Sequence, residues 1–206
     1  MNIYFVRHGQ TKRNEIWTYQ DEYEPLSDIG LEQARMAAER ARSLSIDMIC
    51  ASPMKRAVQT AGIIKEAIGK EIIYSDLLKE NRRPSVMVGK RGDDPLAVEI
   101  IKECRSHNDD PFWHYSDEEN FLEYKERGRK ALEYLEGLPQ ENILVVSHSY
   151  LIKMLVLTMA LGDLVSPDIF HSFADKFQLR NTGLTYCKKK SSGWSIEAFN
   201  DHRHLG

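Results

Sequence analysis

The stretch Asn2-Ile3-Tyr4-Phe5-Val6-Arg7-His8-Gly9 decides how this chain is read. Ile3 to Val6 is β-branched and aromatic, which suits a short buried strand, and the run stops abruptly at Arg7-His8-Gly9. The pattern recurs further on. Ser27 reads as the N-cap of a helix to about Leu44, with Ala34, Ala37, Ala38 and Ala41 on one face. A strand is expected at 47–51, then a helix from Arg56 to about Ile68 that Gly69 ends, then a strand at 72–74. A helical stripe of Phe121, Tyr124, Gly128, Ala131, Leu132 and Leu135 precedes an apolar strand at 143–146. Beyond it come a mostly buried helix, Tyr150 to Leu161, a helix starting at Ser166-Pro167, and strands at 184–187 and 194–199. Strands that alternate with helices predict a mostly parallel sheet covered on both faces, an α/β fold of the three-layer α/β/α sandwich type.

Around residues 85–118 the pattern is interrupted. Gly, Pro and acidic residues surround one short amphipathic helix, with Asp94 as its cap, Pro95 in its first position and Leu96, Ile100 and Cys104 on one face. Such a segment is too small to bury a core alone. The expectation is a single domain over residues 1–206 with a small helical cap inserted at about 85–118. Trp113, His114 and Tyr115 in it read either as the lining of a substrate cap or as its own small core.

Composition narrows the function classes. Of 206 residues, 42% are hydrophobic and 29% charged, enough apolar side chain to offset the entropy of ordering the backbone. Lys and Arg number 28 against 31 Asp and Glu, a net charge of -3 that argues against a nucleic-acid partner. The greasiest stretch, Tyr150 to Leu161, carries Lys153 and is too short to cross a bilayer, so no membrane is expected. The first residues lack the basic start and apolar run of a secretion signal. Cys50, Cys104 and Cys187 are scattered and odd in number, which fits neither a disulfide framework nor a zinc site; a reducing, cytoplasmic setting follows as the expectation.

In a parallel α/β sheet, ligands bind beyond the carboxyl ends of the strands. After the first strand stand Arg7-His8-Gly9; after the second, Ser52-Pro53 through Arg56; after the third, past a loop, Glu80; after the strand ending at Val146, Ser147-His148. Two histidines, two arginines and a carboxylate therefore collect at one edge. Arginine forks bind phosphate oxygens in two-point contacts. A neutral imidazole is a competent nucleophile, and a carboxylic acid can protonate a leaving oxygen. Helices beginning near Arg56 and Ser149 are expected to aim N–H groups at an anion.

With these residues in place, the chain resembles the histidine phosphatase superfamily, the phosphoglycerate-mutase-like proteins, over essentially its whole length. Arg7-His8-Gly9-Gln10-Thr11 with Asn14, Leu26-Ser27 through Gln33-Ala34, Ser52-Pro53 through Ala61, Glu80, Ser147-His148, Asn181-Thr182-Gly183 and Asn200-Asp201 through His204-Leu205 carry the resemblance. It implies that His8 attacks phosphorus and forms a phosphohistidine. Arg7, Arg56 and His148 would hold the equatorial oxygens, and Glu80 would protonate the leaving alcohol and later take a proton from water. Substrate contacts are expected from Asn14, Gly9, Thr11 and Ser149, Gly9 because a side chain there would crowd the phosphate. The resemblance implies no metal and no cofactor and a small phosphorylated metabolite as partner; because Glu80 must be protonated at the first step, either the folded site favours its protonated form or activity peaks on the acid side. Oligomeric state stays open.

Some positions admit a plainer reading. Glu66, Glu71 and Asp76 lie near Glu80, and Asn14 could be a turn residue. Arg82, Arg83, Lys90 and Arg91 read first as a solvated loop face and second as contacts to another acidic group on the substrate. His202 and His204 have a metal-compatible spacing but read as incidental, and Ile169, Phe170, Phe173 and Phe177 read as packing. Ser149 stands where many relatives have glycine. Trp17 to Glu24 lacks the arginine and glycine pattern of the mutase branch, and Asn81 to Ser85 replaces its longer stretch. These departures favour a phosphatase of small phosphomonoesters over a mutase; the insertion argues against a protein phosphohistidine phosphatase, and the retention of His8 and Glu80 against a non-catalytic phosphate-binding module.

Overall fold

In the computed structural model, which describes residues 1–110 and 112–206, the first strand is β1 (Asn2–Arg7). The chain continues through α1 (Lys12–Glu15), α2 (Asp28–Ala41), β2 (Met48–Ala51), α3 (Lys55–Ile68), β3 (Ile72–Tyr74), α4 (Pro95–Ser106) and α5 (Phe121–Glu136). It ends with β4 (Asn142–Ser147), α6 (Ser149–Leu161), α7 (Pro167–Lys176), β5 (Leu184–Lys190) and β6 (Gly193–Asp201). The strands form one sheet in the order β3-β2-β4-β1-β5-β6. Strands β1 to β4 run parallel; β5 lies antiparallel to β1, and β6 antiparallel to β5. The fold is α/β with a mostly parallel sheet, as expected.

Strand alternation builds the two cores. Ile3 and Phe5 of β1 and Ile143 and Val145 of β4 pack with α5, α6 and α7, while Val6, Leu144 and Val146 face the opposite way onto α2 and α3. The alanine faces of α2 and α3 are buried on that second side, which lets their backbones sit close to the sheet. Helix α6 buries eight of its residues, Leu151 to Leu157 and Met159, because sheet, α5 and α7 surround it. The stripe on α7 is less uniform than expected: Phe170 is buried, but Ile169 and Phe177 are exposed. Among the described residues no helix is long and apolar enough to cross a membrane.

The local signals sit where the sequence puts them. Ser27, Asp94 and Ser166 each accept a backbone N–H of the helix they precede, and Gly69 ends α3 at φ 66°. Residues 85–118 contain a 3₁₀ turn at Ser85–Met87 and α4, gathered on a small core of Met87, Ala97 and Ile100. Trp113 is half-buried and lines a small cavity with Arg83, Arg105 and His171, while His114 and Tyr115 lie at the surface. Trp113 stacks on His107 at 4.1 Å, His114 pairs with Glu123 at 3.0 Å, and Tyr115 is exposed.

The loop after β1 is pinned by backbone contact. A Cβ on Gly9 would lie 2.4 Å from the Gly30 carbonyl oxygen, and one on Gly30 would lie 1.9 Å from that of Gln10. Gly9 is therefore required by the α2 backbone, and crowding of a ligand is not needed to explain it. Gly30→Ala is expected to lower the unfolding free energy by about 1–3 kcal/mol, read from urea denaturation. Gly62→Ala, in α3 with nothing within 4 Å of the new methyl, should instead raise it by about 0.5–1 kcal/mol.

Candidate active site

His8 follows the last residue of β1, and its backbone N–H donates to the Ser147 carbonyl of β4 at 2.9 Å. Its Nδ1 lies 2.7 Å from the Gly9 carbonyl oxygen. A carbonyl only accepts, so Nδ1 carries the hydrogen and Nε2 keeps its lone pair. That lone pair accepts from Arg56 Nε at 3.2 Å. The side chain is 3% exposed. Burial, then Arg56 and Arg7, hold the imidazole well below its ordinary pKa, so it is neutral at pH 7.

His148 occupies the matching place after β4, with its ring centroid 5.1 Å from that of His8. Its Nε2 lies 2.8 Å from Ser52 Oγ, and its Nδ1 is buried without a partner among the described residues. Burial, then Arg56, His8 and Arg7, hold it neutral as well.

Two arginines stand beside these rings, Arg56 buried and Arg7 half-buried. Arg56, the second residue of α3, donates to His8, to the Asp21 carbonyl at 2.9 Å and to the Met54 sulfur at 3.5 Å. Arg7 donates to the Leu179 carbonyl, and its Nε has no partner among the described residues. Burial pulls Arg7 down to about 10; Glu80 counters this and Arg56 adds to it. Neither guanidinium touches a carboxylate within 4.0 Å among the described residues. A buried and a half-buried cation with only neutral partners make a site that an anion completes.

Glu80 reaches the same cavity by a different device. Its Oε2 accepts from Tyr150 N at 3.1 Å, and its Oε1 from Leu151 N at 3.1 Å and Asn81 N at 3.0 Å. The carboxylate thus sits on the first turn of α6. The expectation that this helix would offer its N–H groups to a ligand is corrected: Glu80 takes two of them. Arg127 of α5 positions the segment, holding the carbonyls of Leu77, Lys79 and Glu80 while paired with Glu119. Glu66, Glu71 and Asp76, the competing carboxylates, do not line the cavity that holds His8.

That cavity is about 490 Å³ and is lined by Arg7, His8, Arg56, Glu80, Asn14 and Ser149, among others. Asn14 shares its side chain with structure: its Oδ1 accepts from Thr11 N at 3.2 Å in a capping box around α1. Thr11, expected at the ligand, is the fully buried cap of that helix and does not line the cavity. The basic cluster separates. Arg83 lines the cavity, whereas exposed Arg91 holds Asp93 through two donors and Lys90 and Arg82 lie outside it. His204 bridges Arg40 and Thr182, and His202 bonds the Asn200 carbonyl, so both rings serve the C-terminal turn.

Four contributors escaped the sequence reading. Ser52 bonds His148, and Thr60 Oγ1 accepts from Gly9 N at 3.1 Å. Asn181 Nδ2 donates to the His8 carbonyl at 3.0 Å, and its triplet was visible as a motif without a role. Lys153, on α6 and 2% exposed, also lines the cavity. Inside an apolar run its charge was the only signal.

A model of the histidine phosphatase superfamily (branch 1) matches residues 3–202. A probable phosphoglycerate mutase, GpmB, of Enterobacter sp. (strain 638) is 34% identical over 215 aligned positions, covering 100% of this chain and 95% of that protein. Two solved structures share the fold. A phosphoserine phosphatase mutant from Entamoeba histolytica in complex with phosphoserine has a TM-score of 0.81 at 24% identity, over 100% of this chain and 99% of that one. An alpha-ribazole phosphatase from Shigella flexneri has a TM-score of 0.79 at 19% identity, over 98% of this chain and 97% of that one.

The neutral, buried histidines have a consequence for stability. In the unfolded chain they bind protons near pH 6.5, and in the folded chain only at lower pH. Their contribution is complete above pH 6.5 and is lost as the pH falls below it. The unfolding free energy read from urea denaturation should therefore drop between pH 7 and pH 5, by up to about 1.4 kcal/mol per pH unit for each histidine. The dependence should be shallower in His8→Gln/His148→Gln.

Proposed function

Because the chain belongs to the histidine phosphatase superfamily, we propose that it hydrolyses small phosphomonoesters through a phosphohistidine on His8, without a metal. The observation that carries this reading is the His8 tautomer: Nδ1–H is tied to the Gly9 carbonyl, and the basic Nε2 meets Arg56 in a cavity that also holds Glu80. A cavity of about 490 Å³ suits a small molecule better than a protein side chain presented on a surface.

In the first step the His8 Nε2 lone pair attacks phosphorus. An N–P bond forms, the P–O bond to the alcohol breaks, and Glu80 donates a proton to the departing oxygen. Arg7 and Arg56 hold the phosphoryl oxygens as charge builds on them, and the unpartnered Nδ1 of buried His148 is a third group available to that end. In the second step Glu80 takes a proton from water, whose oxygen attacks phosphorus. The N–P bond breaks, inorganic phosphate leaves, and neutral His8 returns. Cys50, Cys104 and Cys187, all unpaired thiols, support a cytoplasmic setting.

The name of the 34% identical relative favours a second reading, in which the phosphoryl group returns to substrate as in a mutase. Mass balance separates the two: the phosphatase reading expects free phosphate to match the ester consumed, and isomerised ester in its place would overturn it. Incubation with a reactive phosphomonoester should leave an acid-labile, base-stable label on the chain, absent in His8→Gln. Glu80→Gln should lower kcat by about 10²–10⁴-fold for a poor leaving group and less for p-nitrophenol, which needs no proton.

A further inference from the structure

A second, smaller cavity lies where the inserted cap meets the rest of the domain. It encloses about 50 Å³. Cys104, His107 and Trp113 line it from the cap, Tyr124 from α5, and Phe170 and His171 from α7. Two polar atoms of this lining, Tyr124 Oη and His171 Nδ1, are buried without a hydrogen-bond partner among the described residues. Both offer a hydrogen. Tyr124 is 2% exposed, and burial, then Glu80, hold its phenol well above the ordinary pKa, so it stays protonated. The His171 ring is neutral at pH 7, because burial, then Arg105 and Arg83, lower it to about 4. Its Nε2 lies 3.2 Å from Asn108 Nδ2, an amide nitrogen that only donates. Nε2 therefore accepts, and Nδ1 carries the hydrogen.

The lining is also positive once its ion pairs are set aside. Arg105 grips Asp175 with both Nη atoms, and Glu119 is held by Arg127. Arg82 and Arg83 then stand against Glu118 alone, an excess of one positive charge among the described residues. Glu118 spends both carboxylate oxygens on the backbone N–H groups of Tyr115 and Ser116. Arg83 has no hydrogen-bond or carboxylate partner among the described residues and lies over the Tyr150 ring, 4.8 Å from its centroid. Buried donors without acceptors are costly. Water would satisfy them, but it would leave the charge unanswered.

We propose that this cavity binds one monovalent inorganic anion of halide size, held by Tyr124, His171 and Arg83, and that the ion fastens the cap to α5 and α7. Volume, donors and charge agree on that ligand. The space suits an ion or one or two waters and is too small for a metabolite. The two unpartnered buried groups both donate, which favours an anion over a cation. The site is separate from the cavity that holds His8 and does not rest on the phosphatase reading. Arg83 lines both cavities, so the ion also steadies a side chain at the edge of the candidate active site.

Chloride is the probe in solution and bromide the probe in crystals. Replacing gluconate, which is too large to enter, by chloride up to about 0.2 M at constant ionic strength should raise the melting temperature saturably by about 2–4 °C. Tyr124→Phe and His171→Phe each keep a ring and remove one donor, and each should weaken the chloride response severalfold. Arg83→Gln should abolish it. Crystals of the unsubstituted chain grown with bromide should show an anomalous peak within hydrogen-bond distance of Tyr124 Oη and His171 Nδ1, a result that needs no variant to fold. Water in the cavity with no bromide would overturn the site. So would an equal chloride response in all four chains, which marks a general salt effect. A bromide peak without any chloride response would mean an adventitious ion only, and would overturn it too.

Discussion

The site depends on one register. β1 and β4 pair in parallel so that Arg7 lies opposite Ser147, and the next residue on each strand is a histidine. A backbone hydrogen bond from His8 to Ser147 extends that ladder one step past the strand end. Residues separated by 140 positions thereby arrive side by side, with imidazole centroids 5.1 Å apart. A slip of one residue would send Ile3 and Phe5 to the α2–α3 face and Tyr4 and Val6 to the other. The two dissimilar cores thus lock the register, and the register places the histidines.

Once the rings are placed, burial does most of the electrostatic work. His8 and His148 are kept neutral because each is enclosed next to two guanidiniums, and the same enclosure pulls Arg7 down. The arrangement puts uncharged imidazoles among cations. Glu80 is kept from pairing directly with those cations by its hold on the first turn of α6. The carboxylate therefore stays in the cavity without collapsing onto an arginine, and α6 receives an N-terminal cap that His148 does not provide.

How much of this could be read in advance depended on whether the signal was local. The strand ends, the caps at Ser27, Asp94 and Ser166, and the stop at Gly69 are properties of a few adjacent residues, and each lies where its side-chain chemistry puts it. Roles that depend on a distant partner were not legible. Gly9 reads as room for a ligand until Gly30 is seen 2.4 Å from its missing methyl. Thr11 and Asn14 read as ligand contacts until their mutual capping box appears, and Arg82, Arg83, Lys90 and Arg91 read as one basic patch until only Arg83 turns inward.

By itself the sequence determined the α/β class, the strand ends on which the chemistry stands, and the five groups gathered there, because hydrophobic periodicity and residue type act over short spans. Tertiary structure decided the rest. It set the tautomer of His8 through the Gly9 carbonyl, the cap that Glu80 makes on α6, and the inward turn of Lys153 toward Tyr150. Hydrogen-bond direction, burial and charge compensation are relations between groups far apart in the chain, and they exist only once the sheet has brought those groups together.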